Sequence, residues 1–124
     1  MSYNGWIIPD IYRSFLLEMR PPKYNNVKMS HITYQLDCDK TIPCDQIIKI
    51  IGYADNGSIE AFLVDVPDFE RDGFFHITIS HDDNSSSKDA NNLNDFNHFE
   101  PIEIPVNGFF CHGDSPYITT MLSS

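Results

Sequence analysis

The chain has 124 residues, 41% of them hydrophobic and 13% aromatic, enough for one packed core, and its length predicts a single domain over 1–124. With 18 acidic against 8 basic residues its formal charge is −10, which excludes a surface that works by neutralising many phosphates along a duplex or a long strand. No run of residues approaches the ~18–20 apolar positions needed to cross a bilayer, and the opening MSYNGWIIPD lacks a basic, apolar leader pattern.

A soluble protein of the cytoplasm is therefore expected, with no membrane partner. Cys38, Cys44 and Cys111 form no Cys-x-x-Cys pair, poor material for a disulfide framework or a thiolate zinc site, so reduced thiols are expected.

In chain order, YNGWIIP reads as a first strand ended by Pro9. Asp10 then stands where an N-cap belongs, and IYRSFLLEMR lines up Ile11, Phe15 and Met19, with Tyr12 and Leu16 beside them, as the inward face of a helix that Pro21 and Pro22 stop. VKMSHITYQLD has strand periodicity and leads through a proline-bearing connector to QIIKIIGYAD. Asn56-Gly57 predicts a type I′ hairpin turn into SIEAFLVDV. GFFHITIS follows, and residues 82–98, rich in Asn, Asp and Ser, read as a long mobile loop with room for a second helix around Asp89 to Phe96. FEPIEIPVNGFFCHG closes the sheet, with Pro101 and Pro105 predicting an edge position. One helix and about six strands make an α+β fold.

His-Ile-Thr occurs twice, in HITY at 31–34 and HITI at 76–79. Alternate side chains share a face of a strand, so His31 and Thr33 point away from Ile32 and Tyr34, and His76 and Thr78 point away from Ile77 and Ile79. Were the two strands neighbours across a cleft, two imidazoles and two hydroxyls would converge. That set suits a phosphate ester: histidine exchanges protons near neutrality, and threonine hydroxyls donate to non-bridging oxygens.

HITY and HITI both fit H-x-[ST]-x, and on these motifs the chain resembles the two-histidine (2H) phosphoesterase superfamily; FFHITIS is similar to the second motif of its cyclic phosphodiesterases. The resemblance implies a compact bilobal fold with antiparallel sheets flanking a central groove. It implies metal-independent hydrolysis of a 2′,3′-cyclic phosphate or a 2′,5′/3′,5′ linkage, with His31 and His76 as the acid/base pair and Thr33 and Thr78 holding the phosphate. The expected substrate is a small nucleotide, a cyclic oligonucleotide or an RNA end, with no cofactor. Which histidine is the base stays open. The residue choice, heavy in Asn, Ile and Asp, fits a low-GC genome such as that of a phage or virus.

Other residues carry weaker signals. Trp6, with Tyr3, Phe74 and Phe109, is a candidate to line a groove and stack on a base, and Lys28 is a candidate phosphate contact. Asp37 and Asp82 read as strand-end or turn residues. A metal alternative would draw His76, His81 and His98 together with Asp82 or Asp83, at a spacing that matches no compact metal motif, and a second would join Cys38 and Cys111 to His31 in a thiolate site; His112 enters neither set. Cys38 and Cys111 read as small core residues. The functional alternative is a non-catalytic nucleotide-binding or protein-interaction module on the same fold.

Overall fold

The computed structural model describes residues 2–36, 41–67, 69 and 74–112, the side chains of Leu36, Lys88 and His112 excepted. Strands β1 (Ser2–Ile7), β2 (Asn26–Val27), β3 (His31–Leu36), β4 (Gln46–Asp55), β5 (Ile59–Asp65), β6 (Phe75–His81) and β7 (Asn97–His112) are accompanied by one helix, α1 (Asp10–Met19), and a 3₁₀ segment, Ser87–Asn92. The strands form a seven-stranded sheet in the order β2-β6-β5-β4-β7-β1-β3, with every pairing antiparallel. The α+β class is as the sequence predicts. No helix among the described residues is long and apolar enough to cross a membrane.

The period-two pattern of each strand sends one set of side chains into a common core that joins Trp6, Ile32, Ile48, Phe62, Ile77 and Ile104 from six strands. Each such side chain contributes on the order of 1.5–3 kcal/mol by leaving water. The opposite face carries two smaller apolar clusters, one around Ile7, Phe109 and Cys111 and one around Ala61, Ala90 and Leu93. His31 and His76 lie among these outer residues: His31 packs against Phe109, and His76 against Phe74 at the edge of the second cluster.

Strand β7 is central, which corrects the edge position its prolines predict. Its first part pairs with β4 through Val106 and its last part with β1 from Asn107 onward. Pro101 and Pro105 fall in the part that has a neighbour on one side only, so neither missing amide interrupts a second ladder. Where β7 meets β1, Gly108 is needed for a different reason: a Cβ there would sit 1.6 Å from the carbonyl oxygen of Pro43.

Helix α1 begins at Asp10 with Pro9 as the flanking residue, and no side chain caps it. Its inward face is only part of the predicted side. Leu16 is the buried residue of the helix, and Tyr12 and Leu17 pack against the core, whereas Ile11, Phe15 and Met19 are exposed. The helix is rolled so that the Tyr12 and Leu16 edge of the predicted side meets the sheet, and Arg13 ties it to the next segment, its Nε and Nη2 donating to the Lys28 carbonyl at 3.2 and 2.9 Å.

The hairpin between β4 and β5 is likewise not type I′, since that turn needs positive φ at two residues and here Gly57 alone has it, at 94°. Side chains build the turn instead: Asp55 Oδ1 accepts from the Gly57 amide, and Asn56 Oδ1 from the amides of Ser58 and Ile59.

Within the stretch read as a loop with room for a helix around Asp89 to Phe96, the structure has a short 3₁₀ segment, Ser87–Asn92, packed against the sheet. Ser86 and Asp89 form a reciprocal capping box, and Ala90 and Leu93 insert into the outer cluster with Phe74 and Phe96.

A buried carboxylate fixes the path from α1 to the sheet. Glu60, fully buried, accepts from Tyr53 Oη and Ser80 Oγ, both at 2.6 Å, and from the Lys23 amide at 2.7 Å. Burial first, then the bond to Glu60, raises the Tyr53 pKa well above its ordinary value. The neighbouring connector residues are tied to Asp55 by Lys23 Nζ and Tyr24 Oη. These bonds seat β2 beside β6.

Candidate functional site

The two His-Ile-Thr strands are brought together at the seam where the first half of the chain meets β6. Asn26 stands opposite His81 and Val27 opposite Ser80. The ladder continues as the Lys28 amide donates to the Ile79 carbonyl (2.8 Å) and the Met29 amide to the Thr78 carbonyl (2.7 Å). Met29 then takes a left-handed φ of 53°, and the chain turns away to pair with β1 as β3, which still runs alongside β6. Carried on without that break, the register would set His31 across from His76. His31 and Thr33 alternate with the core residue Ile32, and His76 and Thr78 alternate with Phe75, Ile77 and Ile79, so all four project from the face opposite the main core.

His31 is half-buried between two rings, its centroid 5.6 Å from Tyr3 and 5.8 Å from Phe109. Its Nδ1 lies 2.8 Å from Ser30 Oγ. Ser30 is 8% exposed, and Nδ1 is the acceptor the structure gives its hydroxyl. A nearly buried hydroxyl donates its proton where an acceptor exists. With Ser30 as the donor, the His31 proton sits on Nε2. Burial, with a smaller push from the charge of Lys28, lowers the His31 pKa from 6.5 to about 4, so the ring is neutral at physiological pH.

The second motif is more enclosed. Phe74 packs against His76 at 5.6 Å and against Phe96 at 4.9 Å. Thr78 is 8% exposed, and its hydroxyl donates to the Ser87 carbonyl of the 3₁₀ segment at 3.3 Å.

Of the other sequence candidates, Tyr3 flanks His31 and Phe74 flanks His76; Phe109, also beside His31, is 1% exposed and packed with Ile7 and Cys111, which corrects its groove-lining role. Lys28 is exposed, and its charge reaches His31. Trp6 is a correction: its indole is fully buried in the core face, with Nε1 donating to the Cys44 carbonyl at 2.9 Å and the ring packed among Tyr34, Phe69 and Phe75. It belongs to the side of the sheet away from the histidines, because its neighbour Ile7, not Trp6, shares their face.

Asp82 is a turn residue, its carboxylate accepting from the Asn84 amide at 3.1 Å. The bond from Ser85, foremost among several, holds its pKa below the usual value. His81 is buried at the end of β6, with Nδ1 2.8 Å from the Asp82 carbonyl oxygen, while His98 is exposed on β7. Among the described residues no group of three or more His, Cys, Asp or Glu side chains is placed to hold a metal ion. Cys111 is buried with Ile7 and Phe109; Asp37, Cys38 and the side chain of His112 lie outside the described residues.

Ser30, and the way the 3₁₀ segment closes over Thr78, are the parts that reading the sequence misses. Only its position directly before His31 could have singled out Ser30. Compared with protein-family models, curated proteins and solved structures, the chain matches none.

Proposed function

We propose that this chain is a metal-independent phosphodiesterase of the 2H type, cleaving a 2′,3′-cyclic phosphate or a 2′,5′/3′,5′ linkage in a small or cyclic oligonucleotide. The observation that carries the proposal is the seam: β3 and β6, with the same His-x-Thr order, come into contact, and in both strands the His and Thr positions alternate with core residues. In this reading the sheet divides into two halves joined through β7, and the substrate phosphate lies over the line between β3 and β6.

The environment of each histidine suggests its part. A neutral His31 with its proton on Nε2 has no lone pair there to take a proton, so it hydrogen-bonds from Nε2 to the phosphoryl or departing oxygen; to give that proton up it must first be charged, with a second proton on Nδ1 and the Ser30 hydroxyl turned to accept from it. A phosphodiester anion at that nitrogen would favour the charged ring and draw its pKa back toward neutrality. His76 is then the group that accepts the proton of the attacking hydroxyl or water. Thr33 donates to a non-bridging oxygen; Thr78 does so only after its hydroxyl leaves Ser87.

That last requirement favours a second reading, a module that binds a nucleotide or another ligand without turnover, because the Thr78 hydroxyl is already bonded and nearly buried. The deciding experiment incubates the protein, with EDTA present, with 2′,3′-cyclic AMP, 2′,5′-linked adenylates and cyclic di- and trinucleotides, beside His31→Ala and His76→Ala. Turnover that survives chelation and disappears in both variants supports the enzyme. Binding without products supports the module, and turnover in either variant at the wild-type rate refutes the proposed pair.

A further inference from the structure

Helix α1 leaves a row of large apolar side chains in water. Ile11, Phe15 and Met19 are 75%, 50% and 41% exposed, at the four-residue spacing that lines side chains up on one side of a helix. Such a row on the surface of a small protein marks an interaction site more often than chance exposure does. The row is also held in place: Leu16 is buried beneath the helix, and Arg13 binds the Lys28 carbonyl.

Charge narrows the occupant. Both arginines at this end of the chain are engaged, Arg13 as above and Arg20 with its guanidinium 3.9 Å from the centre of the Tyr53 ring. Asp10, Ser14 and Glu18, all exposed, form the solvent-side border of the row, so its charged rim is acidic.

We propose that the Ile11-Phe15-Met19 row is a docking surface for another protein, one that offers an apolar groove or helix face bordered by Lys and Arg. This is the helix-in-groove mode, in which residues one turn apart act as anchors, and the fixed helix lowers the ordering cost of binding. A chain of charge −10 is repelled by anionic bilayers and by long nucleic acids. A second copy fits poorly too, since an antiparallel two-fold pairing of α1 helices sets the Asp10/Glu18 rim against its own copy. The proposal is independent of the phosphodiesterase reading.

The probe is a short, amidated, fluorescein-labelled amphipathic peptide of Leu and Lys, titrated into the full chain at about 0.15 M salt, where surface charge alone is screened. Its Leu/Glu counterpart, neutral and anionic phospholipid vesicles, and sedimentation of the protein alone run in parallel. The Leu/Lys peptide is expected to bind the wild type, to lose at least about tenfold in affinity to Ile11→Ser/Phe15→Ser, and to bind unchanged to Ile47→Ser, which alters an exposed isoleucine on β4. Circular dichroism checks that the double variant is folded, and Met19→Ser alone repeats the test if it is not. The proposal is overturned if the peptide does not bind, if it binds the α1 variants as tightly as the wild type, if the Leu/Glu peptide or the vesicles bind through the same residues, or if the row mediates self-association instead.

Discussion

Because His31 is held neutral by burial, the stability of the fold should carry its signature in the acid range. The folded pKa is about 4 against 6.5 for the free side chain. Between those values the unfolded chain binds a proton that the native chain does not, so stability rises with pH across that window. The contribution is complete above about pH 6.5, declines as pH falls, and is gone below about pH 4. At about 1.4 kcal/mol per pH unit the whole interval amounts to roughly 3 kcal/mol. Water reaches part of the half-buried ring and screens it, so we expect about 2 kcal/mol. Carboxylates titrate in the same range, and His31→Gln, which keeps a neutral polar group of similar reach beside Ser30, removes them by difference. Urea unfolding at about pH 7.5 and about pH 4.5 should show the wild type losing about 2 kcal/mol more than the variant. Parallel losses, within about 0.5 kcal/mol, would show that His31 is not desolvated and would refute the reasoning.

Ser30→Ala should release the His31 tautomer: ring ¹⁵N spectra of the wild type should show the proton on Nε2, those of Ser30→Ala a mixture, and those of Ser30→Thr the wild-type pattern again. Spectra with the proton on Nδ1 in the wild type would reverse the donor assignment and, with it, the roles given to the two histidines. Glu60→Ala removes the acceptor of three short bonds and leaves buried donors without a partner, a loss of about 3–5 kcal/mol. Chemical denaturation that finds less than about 1 kcal/mol would show that this network does not hold β2 against β6.

Strand positions were legible in the sequence because β-branched and aromatic runs stand between turn signals, and the His-x-Thr pairs announced themselves by repetition. What failed were choices between two faces or two neighbours. Ile11, Phe15 and Met19 are as apolar as Tyr12, Leu16 and Leu17, so the periodicity that identifies a helix could not say which side meets the sheet; Arg13 and its bond to Lys28 decide it. Pro101 and Pro105 indicated an edge correctly for half of β7, and a strand long enough to change partners midway leaves no mark on that pattern. Trp6 and Ile7 are adjacent and both apolar, and both are buried, so their composition could not say which of them faces the main core. Thr78 reads as a polar residue on an open face until the 3₁₀ segment, itself disguised by its Asn, Asp and Ser content, closes over it.

The central claim is that one phosphate can be held by His31 and His76 together. ¹H–¹⁵N spectra of the imidazole rings during titration with adenosine 2′-monophosphate test it most directly. The account predicts that resonances of both rings move along one saturation curve and that His31→Ala abolishes the response at His76. Movement of one ring alone, or two rings following different binding constants, would contradict it.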